Sequence, residues 1–111
     1  MPYISQSCRA KLNGRIEDLA NSIVSECVED GDEFVYAGCL NYAITRLALL
    51  VIKNLFGTGL RYWNVALLTG VFHNVNQEFY RRLASPFENK KIISNGDVDL
   101  IEDFLNDINE V

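Results

Sequence analysis

The sequence predicts an all-α fold: a compact bundle of three main helices plus a short acidic C-terminal helix. It reads as one domain over residues 1–111, with residues 98–109 docked as the last helix. Apolar residues recur at the i, i+3, i+4 spacing of a helix in four separate segments. Those segments are parted by turn signals, namely Asp30-Gly31-Asp32, Gly57-Thr58-Gly59, Pro86 and Asn95-Gly96-Asp97. The one short stretch that reads as extended, residues 33–38 (EFVYAG), has no second strand to pair with.

Composition bounds the function. With 111 residues, 49% hydrophobic and 23% charged, the chain has the make-up of a small globular domain. A helical domain of this size often completes its core by pairing with a second copy, so a homo-oligomer is expected. The net charge of −5 sets up a field that repels phosphates, which disfavours nucleic acid and acidic membrane as partners. The longest apolar run, residues 47–52, falls well short of the roughly 20 residues needed to span a bilayer, so no membrane partner is expected. Cys8, Cys27 and Cys39 lack CxxC spacing, and with His73 as the single histidine they form no zinc pattern. Neither a metal nor a cofactor is expected. The odd cysteine count and the lack of a secretory leader pattern predict a cytoplasmic protein.

The first helix carries Leu12, Ile16, Leu19, Ile23 and Cys27 on one face. Asn13-Gly14 breaks that pattern near its start, so Asn13 is the expected cap and residues 5–12 a preceding turn, after an extended Pro2-Tyr3-Ile4 lead-in. The second helix, residues 40–56, is apolar around most of its circumference, with Tyr42, Arg46 and Lys53 as a narrow polar strip; that is the pattern of a central helix packed on most sides. The third, residues 62–84, buries Val65, Leu68, Val71, Phe72, Val75, Phe79 and Leu83, while Ala66, Gly70, His73, Gln77, Tyr80 and Ala84 line its other flank. Those small residues permit the close approach of a second copy, and a homodimer through the third helix is expected there. In the last helix Ile101, Phe104, Leu105 and Ile108 form an apolar stripe beneath an acidic surface.

Residues 78–98 hold the densest chemistry. Pro86 is expected to end the third helix, with Glu78 and Arg82 paired at i, i+4, Phe87 folded back on the core, an irregular segment to Asn95-Gly96, and Asp97 capping the last helix. Arg81, Arg82, Lys90 and Lys91 place four cations within eleven residues against an acidic background. Such a set can clamp a phosphate or carboxylate, because guanidinium forks donate in pairs. No glycine loop of the phosphate-cradling kind accompanies them. His73 has no nucleophile or carboxylate at a spacing that forces contact, and the acids gather on outward faces, so no catalytic residue is assigned.

The Pro2-Tyr3-Ile4 start, LNYAIT over residues 40–45, Glu78-Phe79-Tyr80-Arg81-Arg82, Pro86-Phe87-Glu88, Lys91-Ile92 and Asn95-Gly96-Asp97-Val98 together make an ordered pattern. In it the chain resembles a family of small uncharacterised proteins of bacteria and their phages. The resemblance covers most of residues 1–98, supplies no activity, and leaves the acidic last helix as an extension. Phe87 stands where the pattern has tyrosine. It also implies that Asn41, Tyr42, Arg81, Arg82 and residues 95–98 belong to one constellation, and it places a phage-encoded copy in the host cytoplasm.

Antiparallel second and third helices would bring Asn41, Tyr42 and Thr45 towards Tyr80, Arg81, Arg82 and the Asn95 turn. That cluster is either a hydrogen-bonded strut or a ligand site made of Arg81, Arg82, Lys90, Lys91, Asn41, Tyr42 and Asn95. The functional reading is a small non-enzymatic interaction protein. The alternative is a binder of a small anionic ligand, such as a nucleotide or nucleotide signal, at the Arg81/Arg82 end; a metal-dependent hydrolase ranks third.

Overall fold

A computed structural model describes residues 3–110, and every regular element in them is helical. The all-α class is thus the observed one. Pro2 of the expected lead-in lies outside the described residues; Tyr3, Ile4 and Ser5 precede the first helix without regular structure. The chain divides into two units, Met1–Val71 and Phe72–Val111.

In the first unit, α1 (Gln6–Asp30) is one uninterrupted helix rather than a turn followed by a helix. Ser5, not Asn13, is its cap, and its Oγ accepts the Cys8 N–H at 3.2 Å. Asn13-Gly14 stays helical because a single interior glycine costs only about 1 kcal/mol relative to alanine, and the turns on both sides carry it. Gly31 ends the helix in the left-handed region (φ 72°), where its N–H reaches the Cys27 and Val28 carbonyls at 3.0 and 3.2 Å. Residues 33–35 then form one 3-10 turn, because Asp32 accepts the Phe34 N–H at 3.0 Å and curls the chain.

That turn feeds directly into α2 (Tyr36–Phe56), so EFVYAG is helical rather than extended. α1 and α2 pack on each other through the 3-10 turn. Gly57 (φ 75°) closes α2 with its N–H on the Lys53 carbonyl at 2.8 Å, and Lys53 suits the negative end of the helix dipole. Across the following connection Phe56 and Trp63 meet edge to face, with ring centroids 5.1 Å apart. α3 (Tyr62–Phe79) begins on the Arg61 carbonyl, which accepts from Asn64 and Val65.

The expected compact bundle does not form. Among the described residues no apolar residue is buried, and the side chain withdrawn from water is that of Asn64, at 1% exposure. α2, read as a central helix packed on most sides, exposes Leu47 (55%), Leu49 (51%) and Leu55 (69%). The reason is geometric. α1 can cover one side of a cylinder that is apolar nearly all round, and it leaves the other sides of α2 open.

In the second unit the chain does not leave the helix at Pro86. Residues Tyr80–Ala84 make a π turn, in which the Ser85 N–H reaches back five residues to the Tyr80 carbonyl, and α4 (Ser85–Asn95) continues from it. Proline sits in the first turn of α4, where its missing N–H and its ring are tolerated because the wider turn before it relieves the clash with the preceding carbonyls. Phe87, expected on the core, is 71% exposed. Gly96 (φ 83°) ends α4 through the Ile92 carbonyl at 2.8 Å.

α5 (Asp99–Glu110) is the expected acidic helix. Its cap differs from the expected one: Asp97 accepts the N–H of adjacent Val98 at 2.7 Å, and the Val98 carbonyl starts the helix. Its stripe residues Ile101, Phe104 and Ile108 are exposed.

Two stability measurements follow. Gly31→Ala should lower stability by about 1 kcal/mol, since alanine pays to hold positive φ; an unchanged melting curve would show that this turn does not limit stability. Asn64 Oδ1 has no hydrogen-bond partner. A buried unsatisfied acceptor costs about 1–3 kcal/mol, so Asn64→Leu should raise the melting temperature. A loss would mean that the amide has a role that leucine cannot fill.

Candidate functional site

The cationic end is built on the π turn. Relative to a regular helix, one extra residue in a turn rotates everything after it by about 100°. Tyr80 and Glu88, about 80° apart on a regular helix, thereby come onto one side, and the Tyr80 hydroxyl donates to Glu88 Oε2 at 2.7 Å. Arg82 lies within the π turn, and Lys90 and Lys91 lie on the helix that follows it. Arg81 pairs with Glu78 at 2.9 Å, an i, i+3 contact to the same carboxylate that the i, i+4 spacing offers to Arg82. Lys90 and Lys91 therefore stand on a regular helix rather than in an irregular segment, and Asn95 is that helix's last residue.

Glu88 lies in the first turn of α4, where the helix dipole favours a carboxylate. Its hydrogen bond to the Tyr80 hydroxyl, then its negative charge, hold that phenol above the ordinary tyrosine range. The bond ties the two sides of the π turn together and leaves Glu88 engaged.

Of the other expected site residues, Asn41 and Tyr42 belong to the first unit, and Arg81, Arg82, Lys90, Lys91 and Asn95 to the second. The Asn41 carbonyl accepts the Thr45 hydroxyl at 2.7 Å, a bond within α2. Tyr42 borders a groove of about 430 Å³ between α1 and α2, with Leu19, Ile23 and Cys39.

A larger groove, about 760 Å³, opens beside it at the end of α1 and was not foreseen from the sequence. Ile23, Val24, Cys27, Val28, Phe34 and Tyr36 line it, with Asp32 and Glu33 at its edge. Val28 and Phe34 stand 75% and 74% exposed there. The signal lay in EFVYAG: the 3-10 turn swings Phe34 over the last turns of α1, which reading the segment as extended would not do. Partial burial, then neighbouring Cys39, Asp32 and Asp30, push the Cys27 thiol above its ordinary range against an opposing backbone hydrogen bond from Tyr36. Among the described residues no three His, Cys, Asp or Glu side chains gather in a way that could hold a metal ion. One helical stretch, Glu33–Phe56, is long and apolar enough to cross a membrane by length and composition, although its longest unbroken apolar run is short.

These features define an all-helical protein with a basic end on one unit and an open apolar groove on the other. The model of a Domain of unknown function (DUF6899) matches residues 1–98, and the chain belongs to that family. α5 follows the matched region, as the sequence pattern led one to expect. No curated protein and no solved structure matches the chain.

The Tyr80 bridge makes a pH prediction. A phenol whose folded pKa is raised contributes stability that is fully present below the ordinary tyrosine pKa and is lost as pH rises through the raised value. Titrating tyrosinate absorbance should show one tyrosine ionising later than the rest, and Glu88→Gln should return it towards the others. If all five tyrosines titrate together in the wild type, the bridge does not persist in solution.

Proposed function

We propose that this chain is a small non-enzymatic helical interaction protein that completes its core by self-association. The observation that carries the reading is the uncovered apolar surface: α2 exposes leucines on several sides, and α5 exposes its whole stripe. Burial of such surface is worth roughly 25 cal/mol per Å², and a soluble chain seldom leaves so much of it in water without a partner. Lipid is the poorer cover for α2. Arg46 stands mid-helix, and a central arginine costs about 2.5–3.5 kcal/mol on insertion scales. The proposed setting is the cytoplasm, or a host cytoplasm for a phage-encoded copy.

The proposed seam is the flank of α3. A Cβ built on Gly70 meets nothing within 4 Å, so the backbone there is open to close approach. Trp63, 49% exposed, supplies apolar area near the start of the same helix. Two-fold dimers are the commonest arrangement that closes such a flank.

A second reading draws on the four cations Arg81, Arg82, Lys90 and Lys91 that the π turn and α4 carry: a small anionic ligand, such as a nucleotide, bound along these two elements. A thermal-shift series with nucleotides tests it, because a ligand that binds only the folded state raises apparent stability. No shift with any nucleotide would reject it.

Two outcomes test the main reading. Gly70→Glu should give a helical monomer by circular dichroism and light scattering, because glutamate favours the helix yet sets a bulky charge across the seam. An unchanged dimer would move the seam elsewhere, and a wild type that is monomeric at high concentration would reject self-association. Amide exchange over α5 should slow as concentration rises if its stripe docks on a neighbour.

A further inference from the structure

We infer that the groove at the end of α1 receives α4 of a second copy of this chain, with the acids at the groove edge meeting the lysines of that helix. The inference deepens the self-association reading by naming a second pair of contacting surfaces besides the α3 flank, and it rests on that reading.

The groove has an apolar floor of Ile23, Val24, Cys27, Val28, Phe34 and Tyr36, and its edge carries Asp32 and Glu33. Its occupant must therefore bring apolar side chains flanked by positive charge. Two short helices of this chain expose apolar residues strongly enough to be considered. α5 is acidic throughout, with Asp99, Glu102, Asp103, Asp107 and Glu110, so it would bring like charge to Asp32 and Glu33. α4 has the opposite character. At 100° per residue Phe87, Lys90 and Ile93 fall on one side of it, with Lys91 next to Phe87. Phe87 and Ile93 are 71% and 84% exposed. Its one acid, Glu88, lies away from that side and is held by the Tyr80 hydroxyl.

α4 thus offers an apolar residue, a lysine and a second apolar residue in a row about 9 Å long at 1.5 Å rise per residue. This is helix-in-groove recognition, with apolar anchors giving affinity and the charges setting partner and register. Each copy carries both a groove and an α4, and a two-fold pair that uses both is the commonest closed arrangement for such self-complementary surfaces.

Cys27 on the groove floor reports occupancy, and exposed Cys8 is the internal control. The experiment follows iodoacetamide labelling of both cysteines by mass spectrometry across a dilution series, with sedimentation giving the oligomeric state. Occupancy predicts that Cys27, relative to Cys8, labels more slowly as the concentration rises. Lys90→Glu should weaken that protection roughly tenfold, since an exposed attraction becomes a repulsion, and circular dichroism confirms that the variant stays helical. Adding Glu33→Lys to Lys90→Glu should restore it, which a loss of folding would not allow. Protection that is independent of concentration, or a double variant that stays unprotected, overturns the inference. If the wild type associates but Cys27 labels freely at every concentration, the groove assignment fails and the self-association reading survives. If the wild type never associates, both fall.

Discussion

Short helices in water need something to lean on. A helix of the length of α5, 12 residues, lies at or below the length at which isolated helices are marginal, so its persistence depends on burying one face. α5 has the added burden of Asp107 and Glu110 near its C-terminal end, where the dipole favours cations. The same constraint governs α2, whose apolar residues run most of the way round. Each of these helices carries a face made for burial, and that requirement links the fold to the proposed function.

The local devices are correspondingly strong. Ser5 and Asp32 hold helix starts by accepting backbone N–H groups, and Gly31, Gly57 and Gly96 end helices at positive φ. These bonds settle where helices begin and end, yet none of them buries apolar area. They define elements, and the packing of those elements is left to larger surfaces. The π turn belongs to the same class of local device: it carries the helix past Pro86 and, by adding one residue to a turn, decides which side chains of α4 share a side with Tyr80.

The polar chemistry takes its character from that turn. On a regular helix Tyr80 and Glu88 would miss each other; here they bond, and the Glu88 carboxylate is engaged by the phenol. The basic side of α4 and the acid-edged groove beside Phe34 are then complementary in charge as well as in apolar content. The family match carries no activity with it, so these physical surfaces are what bear on function.

The sequence by itself determined the all-α class, the glycine stops and the acidic last helix lying outside the family pattern, because helical periodicity, left-handed caps and charge patterning are local properties. It also carried the family pattern, from LNYAIT to the residues around Arg81 and Arg82. Asn13-Gly14, EFVYAG and Pro86 depart from the local expectation for separate reasons: one glycine costs a helix only about 1 kcal/mol, the Asp32 side chain curls EFVYAG into a 3-10 turn, and a π turn carries the helix past a proline that a regular interior would not tolerate. The sequence could not show that the helices' apolar faces stay open, since periodicity identifies a face meant for burial without saying what buries it. Only the tertiary structure decided that, along with the Tyr80–Glu88 bridge and the groove beside Phe34, because those depend on the rotation a single turn imposes on everything after it.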